Sequence, residues 1–198
     1  AGLLHEGFEE RPCPGDEGQV GGAGPPAGSP TRIVIPAIKL DSRIEAVGVR
    51  QRNGVPEWDT SPYAVGWHLG SAMPGQVGNT VFSGHNATVG GKVFRNLYRL
   101  KAGDRVTVYA GDVAYEYEVT ERHILPELLA GRAGRLQNAS WAGPFPDERV
   151  TLITCHPTWS YTHRLVLVAR PLPRPVSTPS AAAAAPPVAL DSPIPLVW

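Results

Sequence analysis

Apolar and polar positions alternate in several stretches of the chain. Arg105-Val-Thr-Val-Tyr109 and Val113-Ala-Tyr-Glu-Tyr-Glu-Val119 alternate on either side of Ala110-Gly-Asp112. That pattern predicts a β-hairpin, whose second strand has room to run on to Leu125. Val150-Thr-Leu-Ile-Thr-Cys155 and Arg164-Leu-Val-Leu-Val168 predict two more strands, at 149–155 and 163–169. Shorter apolar runs predict strands at Arg32–Ile35, Ile38–Leu40, Ile44–Val49, Ala64–Trp67 and Asn79–Ser83. The first of these meets Pro36, which suits a sheet edge. Residues 50–64 and 71–78 are rich in Gly, Pro, Asn and Ser and read as loops.

One stretch has a different period. Val93, Phe94, Leu97 and Leu100 recur at helical spacing, which predicts a two-turn amphipathic helix ended by Gly103-Asp104. Residues 126–148 scatter Leu128, Leu129, Leu136 and Trp141 among Gly, Asn and Pro. They read as a long connection with one helical turn, and connections of this length are usually functional or disordered. Seven to eight short strands with one or two small helices predict an all-β fold, a closed antiparallel eight-stranded β-barrel. No alternation of strand and helix points to a parallel sheet.

Both ends lack this patterning. Residues 1–30 contain Gly21-Gly-Ala-Gly-Pro-Pro-Ala-Gly-Ser-Pro30, and residues 172–198 contain five consecutive alanines between prolines. Such segments bury too little to offset chain entropy. They are expected to be a flexible N-terminal stalk or linker and a Pro/Ala-rich C-terminal tail around a folded part at 31–171. No stretch of 18 apolar residues is long enough to cross a membrane. Lys plus Arg and Asp plus Glu are both 18, so the net charge is zero, which argues against nucleic acid as a partner.

The candidate chemistry lies at strand ends. Cys155 closes one strand, Arg164 opens the next, and His85 follows the strand Asn79–Ser83 through Gly84. A thiol, an imidazole and a guanidinium are the parts of a thiol acyl-transfer site. Cys155 is the candidate nucleophile, His85 the candidate acid and base, and Arg164 a donor to an oxyanion or substrate backbone. His156 and His163 adjoin this set, yet successive strand residues point to opposite faces, so both are badly placed. A buried cysteine is more often an inert small hydrophobe, and a lone arginine more often a surface ion-pair partner. Cys13 lies in the N-terminal segment, and a disulfide to Cys155 is not expected. Scattered acids with no loop signature and the absence of a CxxC pair argue against a metal site.

The ordered set Pro74-Gly75-Gln-Val-Gly78-Asn79-Thr-Val-Phe-Ser-Gly84-His85, then Phe94, Leu97, Leu100, Gly103-Asp104, Thr151-Leu-Ile-Thr-Cys155 and Arg164 resembles the sortases, bacterial cysteine transpeptidases. Trp67 and the Pro-Gly-x-x-Gly context look closest to the class D, E and F branches, whereas His156-Pro157-Thr-Trp159 departs from the usual pattern after the cysteine. The resemblance implies a sortase-type barrel and cleavage of an LPxTG-like sorting signal. It implies a thioacyl-enzyme on Cys155 and transfer to an amine acceptor, either a peptidoglycan precursor or a pilin lysine. It also implies action at the extracellular face of the bacterial membrane or cell wall, with the membrane anchor outside this chain. No cofactor is expected, because Glu118, Glu121, Asp147 and Glu148 are scattered acids. Trp159, Thr154 and Asn86 are the candidate substrate-binding residues. Two other readings stay open: another cysteine peptidase or L,D-transpeptidase, and an inactive barrel that binds peptide or cell-wall polymer.

Overall fold

A computed structural model describes residues 28–52, 55–86, 91–158 and 160–173. In chain order the elements are β1 (Arg32–Ile35), β2 (Leu40–Val47), β3 (Val49–Arg52), β4 (Val55–Trp58), β5 (Val65–His68), β6 (Asn79–Ser83), β7 (Arg105–Ala110), β8 (Val113–Pro126), α1 (Gly131–Ala139), β9 (Arg149–His156) and β10 (His163–Pro171). Short 3-10 turns lie at Pro36–Ile38, Leu97–Arg99 and Ser140–Ala142. The expected flexible ends, at 1–27 and 174–198, lie outside the described residues.

Eight strands close into a barrel in the order β1-β2-β5-β6-β9-β10-β8-β7. The expectation of a wholly antiparallel barrel is corrected at two seams: β5 runs parallel to β2, and β9 runs parallel to β6. Parallel neighbours need long crossover connections. Here the β3–β4 hairpin supplies one, and everything between β6 and β9 supplies the other. That hairpin occupies a stretch expected to be loop; Val49 pairs with Trp58 and Arg52 with Val55. The Asn53-Gly54 dipeptide between them is a strong two-residue hairpin signal. Residues 40–47 form one strand where two short ones were expected.

The barrel interior takes alternate residues from nearly every strand. Ile33 and Ile35, Val106 and Val108, Tyr117 and Val119, Val150 and Leu152, and Leu165, Leu167 and Ala169 share one core with Trp67 and Phe82. Burying each large aliphatic or aromatic side chain contributes roughly 1.5–3 kcal/mol. Phe94, Leu97 and Leu100 join this core, but not from the expected helix. Their segment is a chain of three-residue turns, with Arg95 N donating to Lys92 O, Leu97 N to Phe94 O and Leu100 N to Leu97 O. The buried residues recur every three positions, which matches the 3-10 repeat, and so short a segment is a marginal α-helix in any case.

A β-bulge sets up the outer face. The β8–β10 register runs Val168↔Glu121 and then Ala169↔Val119, leaving Thr120 unpaired. Its hydroxyl donates to Val168 O at 3.3 Å. Strand alternation alone would put Val119, Glu121 and His123 on one face. The extra residue keeps Tyr117 and Val119 in the core while Glu121, His123 and Leu125 stand beside Val168, Val166 and Arg164 outside.

Candidate active site

Cys155 and Arg164 are direct cross-strand partners on β9 and β10. Leu165 and Leu167 face the core, so Arg164 faces out, and Cys155 with it. The guanidinium Nη1 donates to the Cys155 thiol sulfur at 2.8 Å. Cys155 is a free, half-buried cysteine. A spacing of nine residues in sequence thus becomes contact, because the antiparallel register returns β10 alongside β9.

His85 lies just beyond β6. Parallel pairing places Ser83 opposite Ile153, and the same register continued by two residues puts His85 at the level of Cys155. Three bonds hold that segment against the end of β9. Gly84 N donates to Ile153 O at 3.3 Å, Thr154 Oγ1 donates to Gly84 O at 2.7 Å, and Asn86 Nδ2 donates to Cys155 O. Gly84 fits because it lacks a side chain: a Cβ there would lie 2.7 Å from Val93 Cγ2 and 2.8 Å from Phe94 Cδ2. No hydrogen bond joins the His85 ring to the Cys155 thiol among the described residues.

Thr154 and Asn86, two of the candidate substrate-binding residues, both bond to the main chain at the site. Thr154 is buried on the face opposite Cys155, and Asn86 is buried with its amide spent on the Cys155 carbonyl. Both fasten the His85 segment to the β9 strand. Trp159 lies outside the described residues. His156 and His163 pair with each other across β9 and β10, one residue out of phase with Cys155 and Arg164. Burial, then the nearby Arg122 and His163, hold His156 below its ordinary imidazole value.

Residues 127–148 cover part of this outer face. Asn79 Nδ2 donates to Trp141 O and Gly143 O at 3.0 Å, and Asn79 Oδ1 accepts from Thr151 Oγ1 at 2.7 Å. The Trp141 ring lies 4.2 Å from His123, and the Arg149 guanidinium sits 3.7 Å above Phe145. At the start of that cover, Glu127 reaches the site: its Oε1 lies 3.7 Å from Arg164 Nη2. Sequence reasoning missed Glu127, since nothing local marks one acid in a loop as a partner of a residue on another strand. It also expected a single helical turn here, whereas α1 has nine residues and buries none of them. On the far side of β6, His68 Nε2 lies 2.9 Å from Ser83 Oγ, and the Trp58 ring stacks on His68 at 4.1 Å.

A cavity of about 450 Å³ opens elsewhere, between the start of β2 and the 91–96 turns, lined by Lys39, Arg43, Tyr63, Lys92 and Asn96 among others. Cys155, His85 and Arg164 do not line it, so the contact between thiol and guanidinium marks the candidate site. Among the described residues no three His, Cys, Asp or Glu side chains cluster as metal ligands do.

A family model for the sortase domain matches residues 33–172. The chain belongs to the sortase family. Solved sortases share the fold. Sortase A from Corynebacterium diphtheriae, a lid mutant, is 23% identical with a TM-score of 0.58, over 78% of this chain and 74% of that one. A Clostridium perfringens Sortase D5 transpeptidase is 21% identical with a TM-score of 0.55, over 73% and 79%. Sortase C-1 from Actinomyces oris is 25% identical with a TM-score of 0.56, over 73% and 74%. Sortases of classes A, C and D therefore match about equally well, and the fold alone does not select the class D, E and F branches for this sortase. No curated protein matches the chain at a significant level.

Proposed function

We propose that this sortase is a cysteine transpeptidase that cleaves an LPxTG-like sorting signal and transfers the acyl part to an amine. The observation that carries the reading is Arg164 Nη1 at 2.8 Å from the Cys155 sulfur on the outer face of a sortase barrel. Cys155 Sγ, as thiolate, attacks the carbonyl carbon of the scissile peptide bond, and the carbonyl oxygen takes up the negative charge. Arg164 donates hydrogen bonds to that oxyanion without losing its proton. The C–N bond breaks, His85 gives its proton to the departing amine, and a thioester remains on Cys155. An incoming amine then attacks the thioester carbonyl, His85 accepts a proton, and the thiolate leaves.

The lack of a hydrogen bond between His85 and Cys155 fits a mechanism in which the two groups act in turn rather than as a standing ion pair. The acceptor is a peptidoglycan precursor amine or a pilin lysine, and the reaction takes place at the outer face of the bacterial membrane. Mass spectrometry tests the reading. Incubation with a sorting-signal peptide should add the mass of the acylated fragment to the wild-type chain, and an added amine should release it as a new amide. Cys155→Ala should show neither product. Release to water alone would favour a peptidase, and no adduct at all would favour a binding barrel.

A further inference from the structure

We propose that Glu127 is a positioning residue for Arg164 and that α1 sets its place through Asn138. The inference rests on the reading of Arg164 as the oxyanion donor. Arg164 divides its guanidinium between two neighbours: Nη1 meets the Cys155 sulfur at 2.8 Å, and Nη2 faces Glu127 Oε1 at 3.7 Å. The second distance is too long for a hydrogen bond. It is a charge contact, which orients the cation without using up its N–H groups. An arginine side chain has many rotamers, and an orienting charge on one side narrows them before substrate arrives.

A surface Glu–Arg pair usually contributes little. This one differs because Glu127 is itself held at three points. Its backbone N donates to Thr162 O at 2.8 Å, two residues before Arg164. Its carbonyl accepts from Arg135 Nε at 3.2 Å. Its second carboxylate oxygen accepts from Asn138 Nδ2 at 3.1 Å, and the same amide nitrogen donates to Pro126 O at 2.6 Å. Arg135 and Asn138 are three apart on α1 and therefore share a face. Since α1 buries no side chain, these polar contacts are its tie to this end of β8. A carboxylate so fixed is a stationary charge, and Arg164 aligns to it.

The test is steady-state kinetics with a sorting-signal peptide and an amine. Glu127→Gln keeps the size and the carbonyl that Asn138 reaches but removes the charge. It should lower kcat about tenfold while KM for the peptide changes less than about twofold, as a misaligned catalytic group does. In an Arg164→Ala background the same substitution should have no further effect, because its action passes through the arginine. Glu127→Asp should recover part of the loss. A wild-type kcat for Glu127→Gln beside an impaired Arg164→Ala overturns the proposal and leaves the thiol mechanism standing, and so do losses that simply multiply. A fully active Arg164→Ala overturns both. If Glu127→Gln melts early, Asn138→Ala decides: a lower kcat at unchanged KM supports the proposal, and an unchanged kcat overturns it.

Discussion

Arg164 and a lysine in its place would carry the same charge in different shapes. The guanidinium is a flat fork, able to keep one N–H on the Cys155 sulfur while another faces Glu127. An ammonium is a compact point charge on a flexible stem. Arg164→Lys should therefore lose roughly a hundred- to a thousandfold in turnover, the usual loss when an oxyanion donor is removed. Peptide turnover alongside a thermal melt checks this; a folded, fully active variant would remove Arg164 from the chemistry. At this scale the placement of Cys155 and Arg164 on one face was legible in the sequence, because alternation along two strands decides which residues share a face. The bonds that Thr154 and Asn86 make were not legible, because their partners at Gly84 and Cys155 are backbone carbonyls. Nothing in a side chain's identity reveals that it will be spent on the main chain some seventy positions away.

The elements divide by where their signal comes from. Strands with one open face bury every second residue, so β7 and the middle of β8 are written in the sequence as alternation, whereas β9 and β10 bury consecutive residues on both faces and are written as apolar and β-branched runs. The β7–β8 turn at Gly111-Asp112 places its glycine at φ 59°, as a two-residue hairpin requires. Elements that bury nothing leave no such pattern. Helix α1 has exposed Leu136 and no buried face, so periodicity had nothing to find. Its stretch is anchored through Asn79, which bonds Trp141 O, Gly143 O and Thr151 from one buried side chain. Asn79→Ala should leave the buried Thr151 hydroxyl unpaired and free the partly buried carbonyls of Trp141 and Gly143, a loss of about 1–3 kcal/mol at the buried group. Chemical denaturation measures the loss. Amide exchange should show it concentrated in residues 140–145 rather than spread over the barrel, and uniform loosening would mean that Asn79 does not anchor the connection.

At the scale of the whole molecule, barrel closure was legible and strand order was not. Short strands with one apolar face argue for a closed sheet. No local pattern shows that β5 pairs with β2 in parallel, or that β6 waits for β9, since those choices depend on how the connections pack. The β3–β4 hairpin makes one crossover, and its docking through Trp58 on His68 links whole-molecule stability to pH. Burial lowers the His68 pKa to about 4 from an ordinary 6.5, and its Nδ1 is buried without a partner among the described residues.

In the unfolded chain His68 titrates near 6.5, whereas in the folded barrel it stays neutral until about pH 4. Above 6.5 neither state is charged and the group has no effect on stability. As pH falls from 6.5 to 4, the unfolded chain takes up a proton that the folded chain refuses, so the fold weakens by up to roughly 3 kcal/mol. Below 4 both states are protonated and the loss stops growing. His156 is lowered as well, by burial first, and acts in the same direction. Glu121, lowered chiefly by its hydrogen bond with His123, also weakens the fold on acidification, but only as the carboxylate range is reached. A comparison between pH 7.5 and pH 5 therefore reads the histidines and not the acids. Urea midpoints should fall over that interval in the wild type, and His68→Gln should remove most of the fall. If the variant keeps the full wild-type slope, the buried histidine under Trp58 is not its source.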